Sequence, residues 1–374
     1  MTVTTEADVL VIGGGIVGLC SAYFLLKERA RVVVLEQNEI WSDSSGANAG
    51  TVAIQNKISG LRPLALMSVD LWRQMQNDER LDLGFRQVGG LRIAMGGDQV
   101  RELEKDCSVQ AEQELSLHWL EQGELRKFAP WIGQDVNAAV YCPADSQSIP
   151  LKAGPELRKA VEQQGGCVRP GTSVIDIEPS GDSVVVTTDL SGQFRCRHLV
   201  VAAGPWTKGL VRDLGVDLPV SVDVNMLSIT EPVGLLINRV ITHVSGILSL
   251  KQYPNGTCMI GGGWQGQGGF NTDTKELDYQ NLIHNIRLAA SVVPGLRNVN
   301  LVRSWAGFEP VMPDALPCLG CLPGESNIWI ATGARGGYSL GPAQGKLISE
   351  MILDKPPSLA VSYTHLTLPT ILLV

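Results

Sequence analysis

The apolar positions of the chain fall into short runs that end in glycine and into longer stretches with helical spacing. Asp8 to Ile12 is an apolar run closed by glycines, which predicts a buried parallel strand. Ile16 to Lys27 carries apolar residues at helical spacing without proline, and Arg31 to Glu36 is β-branched, so the three predict one βαβ unit. Leu199 to Ala203 before Gly204, and Asn327 to Thr332 before Gly333, repeat the strand-then-glycine ending. Elsewhere the pattern predicts helices over Leu61–Asp78, Pro155–Gln164, Asn281–Val293 and Gln344–Leu353, with one or two more over Asp98–Trp131. It predicts strands at Gly90–Met95, Ala138–Val140, Cys167–Val168, Val174–Asp176 and Ser183–Thr188. Val220–Thr230 and Gly246–Gly263 read as antiparallel strands, the latter a pair turning at Pro254-Asn255-Gly256. Ser42 to Gly50 is a polar, small-residue loop.

Three glycine-terminated strands at distant places are most simply one α/β nucleotide-binding domain of discontinuous segments, with an antiparallel α+β domain inserted between them. The expected boundaries are 1–88, 145–219 and 303–361 for the first, and 89–144 with 220–302 for the second. Residues 362–374 follow neither period and read as a non-native tail, with an apolar docking tail as the alternative.

Composition narrows the function. The 374 residues carry a formal charge of −8, so no basic surplus exists to displace counterions from a nucleic acid. The eight cysteines are scattered rather than arranged as a small secreted framework, and the first residues lack a basic region before an apolar core. No run approaches the ~20 apolar residues of a transmembrane helix. A reduced, cytoplasmic protein is expected, with peripheral contact to a membrane left open. No histidine cluster or second cysteine pair has metal-ligand spacing.

Gly13, Gly15 and Gly18 stand in G-x-G-x-x-G spacing between a strand and a helix. The first two allow a tight turn and close approach of a pyrophosphate to the backbone; the third lets the helix pack on the strand. Glu36 closes the second strand, where a carboxylate binds ribose hydroxyls and repels a 2′-phosphate. Because the chain returns twice more to strand-glycine endings, an extended FAD is favoured over NAD.

These residues carry a resemblance. Val11 to Gly18, Ser45 to Gly50, Val201 to Trp206, Arg303 to Glu309, Pro313-Asp314 with Pro317, and Gly333 to Tyr338 occur in an order similar to the D-amino-acid-oxidase-like (DAO) superfamily of FAD-dependent amine oxidoreductases. Within it the chain most resembles the flavoprotein subunits of opine oxidases, hydrogen cyanide synthase and hydroxyproline dehydrogenases. The resemblance implies a Rossmann-like FAD domain and non-covalent FAD, since no cysteine stands where some members tether the flavin. It implies that Ser44, Ser45 and the backbone of Asn48-Ala49-Gly50 line the pyrophosphate and ring, that Val174 meets the adenine, and that Ala203, Gly204 and Trp206 close the adenosine side. Gly333, Arg335, Gly336, Gly337, Tyr338 and Ser339 would face the flavin N1–C2=O edge. Ile16, Val17, Gln37 and Gly307 complete the expected cofactor set.

The chain also departs from the family's pattern. Arg335 stands within a segment that is Gly-His-Gly in many members. Glu309 stands where glycine-oxidase-like members carry the arginine that binds a substrate carboxylate. The stretch Gly261 to Gly266 lacks the lysine that assists oxygen in sarcosine-oxidase-like members. Arg303, Gln252, Lys251 and Tyr338 are the substrate-side candidates, and no catalytic base is evident. Cys318-x-x-Cys321 reads as a structural pair rather than a redox motif. The expected function is an FAD-dependent dehydrogenase that oxidises the C–N bond of an amino acid, imino acid or opine by hydride transfer to flavin N5. It would pass electrons to a partner subunit bearing an iron–sulfur centre or second flavin. An oxygen-using, peroxide-forming oxidase and a non-catalytic flavin-binding subunit are the alternatives.

Overall fold

A computed structural model describes residues 4–111, 115–189, 192–333 and 335–360; Ala334 and the tail 362–374 lie outside the described residues. The first strand, Thr4–Ile12, pairs in parallel with Val32–Leu35 on one side and Gln193–Val201 on the other. Glu325–Thr332 continues the parallel sheet beyond Gln193–Val201, and Cys167–Arg169 continues it beyond Val32–Leu35. The register aligns Ile12 with Leu35 and Val201, and Val201 with Ile330, so all three glycine-terminated strands end along one edge of the sheet. In such sheets ligands bind at the carboxyl ends of the strands. Val174–Ser180 and Ser183–Thr188 add an antiparallel flap.

Alternation sends Val9, Val11, Val34 and Val200 to one face of this sheet and Leu10, Ile12, Val33 and Val201 to the other. The first face is covered by helices Ile16–Lys27, Arg62–Asn77, Pro150–Gln163 and Gly337–Ile352. Ile16–Lys27 is buried nearly all round, and it lies so close to the final helix that a Cβ on Gly345 would meet the Ser21 nitrogen at 2.6 Å. Two of these helices start earlier than the sequence predicts, because Pro155 and Pro342 are each the sixth residue of their helix. A proline at that position gives up one backbone hydrogen bond, the one to the carbonyl of the helix's second residue.

The second sheet has the order Leu301–Val311, Ser221–Thr230, Cys258–Gly261, Ser249–Gln252, Val240–His243, Gly90–Ala94, Ala138–Cys142, His118–Glu121. It is antiparallel except for the pair Val240–His243 with Gly90–Ala94, which runs parallel. Two features correct the sequence reading. His118–Glu121 forms a strand inside the segment read as helical, held by Ala138–Cys142. Leu301–Val311 forms an eleven-residue strand that pairs along Ser221–Thr230, so the boundary expected at 303 falls within a strand of the second sheet.

Candidate active site

The glycine turn is built by the ladder that precedes it. Gly13 donates to the Leu35 carbonyl at 2.8 Å, with φ at +113°, a conformation open to glycine and strained for other residues. Gly14 donates to Glu36 Oε2 at 2.8 Å and Asn38 donates to Oε1 at 2.9 Å, which fixes the carboxylate at the strand end. The Ile16 amide donates to Ser45 Oγ at 2.9 Å, tying the polar loop to the helix N-terminus. The same loop is tied to the second sheet: Ser44 Oγ donates to the Phe308 carbonyl at 2.5 Å, and Trp305 Nε1 donates to the Ala47 carbonyl at 3.0 Å. Two motifs far apart in sequence thus meet in one wall.

A cavity of about 530 Å³ follows this wall from Glu36 to the start of the final helix. Of the expected cofactor residues, Gly13, Gly15, Ile16, Val17, Glu36, Gln37, Ser44, Ser45, Asn48, Ala49, Val174, Ala203, Gly204, Trp206, Gly307, Gly333, Gly336, Gly337, Tyr338 and Ser339 line it. Three do not. Gly18 packs beneath the turn against Gly13, and Gly50 turns beside Ser148 at φ +70°. Arg335 is exposed and pairs with Asp223 at 3.4 Å, so the cation expected beside the flavin faces away from the cavity.

Glu309 fills a different role from the one its position suggests. Its Oε1 accepts the Gly336 amide at 2.7 Å and its Oε2 accepts Asn225 Nδ2 at 2.6 Å. Lys57, which the sequence reading did not single out, is the one basic side chain among the described residues of the cavity wall. Its Nζ donates to the Gly336 carbonyl at 3.3 Å. Burial pushes its pKa down to about 8, with Glu309 and then Asp145 pulling the other way. No local pattern marks Asn56-Lys57; only the fold brings this lysine to the helix start.

The substrate-side candidates separate. Arg303 is exposed and stacks over Trp305 at 5.9 Å, outside the cavity wall. Gln252 is also outside it: Oε1 accepts from Leu236 and Ile237, and Nε2 donates to the carbonyls of Gly234 and Gly256, leaving no polar atom for a substrate. Tyr338 lines the cavity, but its hydroxyl is engaged with Ser148 Oγ at 2.8 Å, and burial raises its pKa. Lys251 is fully buried behind the wall, bonded to Thr51. Cys318 and Cys321 are free thiols, three residues apart on a strand and therefore on opposite faces, which corrects the expected pair.

The wall fits a long polar cofactor. Gly15 offers bare backbone at the helix N-terminus, and a Cβ there would approach Ser45 Oγ at 3.0 Å. Trp41 Nε1 and both polar atoms of the Gln344 amide are buried on the wall without a hydrogen-bond partner in the protein. Orphaned groups of this kind can be satisfied by the polar atoms of a bound cofactor or by ordered water. No described cysteine or histidine lines the cavity, so none is placed to bond a flavin covalently. Among the described residues there is no cluster of three metal-ligating side chains, and no helix is long and apolar enough to cross a membrane.

Comparison with known proteins agrees with this geometry. The family model described as FAD dependent oxidoreductase (DAO) matches residues 8–351, and the chain belongs to that family. It is 28% identical to glycine oxidase of Geobacillus kaustophilus, over 97% of this chain and 97% of that protein. It is 27% identical to hydrogen cyanide synthase subunit HcnC of Pseudomonas protegens, over 94% and 95%. Its fold superposes on the crystal structure of L-proline dehydrogenase from P. horikoshii with a TM-score of 0.88 and 24% identity, covering 97% of each chain. The cofactor is FAD, and the chain is an oxidoreductase of amino-type substrates.

Proposed function

We propose that this member of the DAO family is a dehydrogenase that oxidises the C–N bond of an amino acid, imino acid or opine and passes the electrons to a partner chain. The observation that carries the reading is the charge arrangement at the final helix: Lys57 faces the cavity while Glu309 is held by Gly336 and Asn225. Lys57 then takes the role of carboxylate anchor that the family's arginine fills elsewhere. When bound, FAD would supply the two-electron acceptor for the hydride of the substrate α-carbon, and the imine product would hydrolyse or cyclise. The chain's own tasks are to hold the carboxylate, shield the site from water and receive the amine proton. Glu36 would bind the ribose, the Gly13–Gly15 turn the pyrophosphate, and the amide at Gly337 the flavin's pyrimidine edge, where a helix N-terminus favours negative charge. Segments 1–88 and 145–219, with the part of 303–361 beyond the strand ending at Val311, would form the FAD domain, and 89–144 with 220–311 the substrate domain.

The dehydrogenase reading is supported by Gly262 and Gly263, which wall the cavity with no side chain and so offer no cation to a developing superoxide. The name of HcnC, a synthase subunit, supports an acceptor on a separate chain. The second reading, an oxygen-using oxidase, is favoured by Lys57, whose ammonium faces the same cavity. Anaerobic bleaching of the purified yellow protein against D- and L-amino acids, hydroxyprolines and opines tests the class of substrate. Admitting air afterwards separates the two readings: slow reoxidation with rapid transfer to a dye supports the dehydrogenase, and reoxidation within one turnover sinks it.

A further inference from the structure

Behind the cavity wall lies an amine with no counter-charge among the described residues. Lys251 belongs to the strand Ser249–Gln252 and its side chain is fully buried. Its Nζ bonds to Thr51 Oγ1, and Thr51 Oγ1 lies 2.8 Å from Ser249 Oγ. Thr51 and Ser249 line the cavity; Lys251 does not. The three polar groups therefore form a hydrogen-bonded chain from the cavity surface to an enclosed amine.

A buried ammonium without a carboxylate carries a large desolvation penalty, so such a lysine gives up its proton more readily than an exposed one and can serve as a proton acceptor. Among the described residues no charged side chain acts on it, and burial pushes its pKa down to about 7. His243 and Cys258 lie on the other face of the sheet, with Leu250; the titratable groups on the side of Lys251 are Tyr253, Arg92 and Asp145, the last beside the strand Ser146–Gln147 that pairs with Thr51–Val52. Burial raises both the phenol and the Asp145 carboxyl, whose oxygens accept from Ile54 and Gln55, and the Arg92 guanidinium is bonded to Asp106 and to the Gln55 and Val244 carbonyls.

We propose that Thr51, oriented by Ser249, relays the ammonium proton of the substrate to Lys251, so that the substrate presents a free amine. The inference rests on the amine-oxidising reading above. In the relay, an N–H bond of the substrate ammonium breaks and its proton passes to the Thr51 oxygen. The Thr51 hydroxyl proton moves at the same time to Lys251 Nζ, which becomes an ammonium. No electrons leave either group, and the nitrogen lone pair becomes available as the C=N bond forms. Once the product departs, Lys251 returns the proton through Thr51 to water in the cavity. Thr51 is the group that meets substrate; Lys251 is a positioning residue that acts through it.

The test is the pH profile of anaerobic flavin reduction in the FAD-loaded enzyme, with a substrate found in the panel. The wild type should show an acid limb near pH 7. Lys251→Met should move that limb toward the substrate's own ammonium range, with a loss of about a hundredfold at neutral pH that recovers at high pH. Thr51→Val should behave likewise, and Thr51→Ser should retain the wild-type profile. An unchanged limb in Lys251→Met, or a loss uniform across pH, overturns the relay while leaving the enzyme class intact. If no amine bleaches the wild type, the functional reading falls and the relay with it. A second readout needs no turnover: the lysine NMR signal that vanishes in Lys251→Met should titrate near neutrality, and titration in the ordinary lysine range overturns the proposal.

Discussion

Glu309 and Gly336 are joined by a 2.7 Å hydrogen bond in which the amide at the start of the final helix donates to the carboxylate. Gly336 has φ +65°, and Glu309 comes from the second sheet, so the bond links the helix of one layer to a strand of the other. A carboxylate at a helix N-terminus is also favoured by the aligned peptide dipoles. Position 309, where the resemblance leaves the substrate anchor in doubt, holds a strut between layers.

Removing that strut should loosen the end of the cavity proposed to hold the flavin ring. Glu309→Ala is expected to weaken FAD binding about tenfold, since a hydrogen bond to a charged group contributes about 1.5–3 kcal/mol. Glu309→Gln keeps an oxygen for the Gly336 amide and should stay within a few-fold of wild type. Titration of the apoprotein with FAD, followed by flavin fluorescence, checks both. An equal loss in the glutamine variant would assign the effect to the charge rather than to the bond.

The glycine turn offers a sharper separation. Position 15 meets little besides Ser45 Oγ, so Gly15→Val should leave an apoprotein that folds and melts near wild type yet stays colourless. Gly13 combines φ +113° with close approach to the Ala202 carbonyl, so Gly13→Ala should lower the melting temperature as well. Circular dichroism melts of the two apoproteins, read beside the flavin spectrum, distinguish a cofactor glycine from a structural one.

The comparison of positions 13 and 57 shows what sequence could carry. The turn, its helix and Glu36 lie within one βαβ unit, so period and spacing locate them together. The three glycine endings were legible as strand ends, although their common edge depends on a sheet order that no local pattern states. Lys57, by contrast, sits in no periodic segment, and its place beside Gly336 arises from contacts 279 residues apart. Gln252 failed as a substrate candidate because its amide bonds to a turn and to a loop, partners that a strand pattern does not reveal. The strand Leu301–Val311 was masked by its own chemistry: Arg303, Ser304, Glu309 and Pro310 interrupt any clean alternation.

Lys57 gives a prediction with a pH signature. Its pKa is lowered from the ordinary 10.5 to about 8, so the ammonium persists below that pH and is lost as pH rises through it. If it anchors a carboxylate, KM should rise above about pH 8 while kcat changes little. Lys57→Met should raise KM about tenfold or more at neutral pH and abolish that pH dependence, as loss of a charge-assisted hydrogen bond implies. Steady-state assays with an artificial dye provide the measurement. An unchanged KM with slower reoxidation in air would instead make Lys57 the oxygen-facing cation and favour the oxidase.

Lys251 should also leave a mark on stability. Its folded pKa of about 7 lies below the 10.5 of an exposed lysine, so between these values the unfolded chain binds more protons than the folded one. Stability from this group therefore rises with pH from about 7 to 10.5, and below about 7 the penalty is constant. At one pKa unit per ~1.36 kcal/mol, the cost of enclosing the ammonium reaches up to about 5 kcal/mol. Lys251→Met fills the same space without a charge, so it should be more stable than wild type below neutrality, with an advantage that shrinks toward pH 10. Urea midpoints of both proteins, compared at pH 6, 8 and 10, isolate this group because every other titration is common to the pair. A difference that does not vary with pH would mean that Lys251 keeps its charge inside the fold, supplied by a partner that the Thr51 hydroxyl alone cannot be.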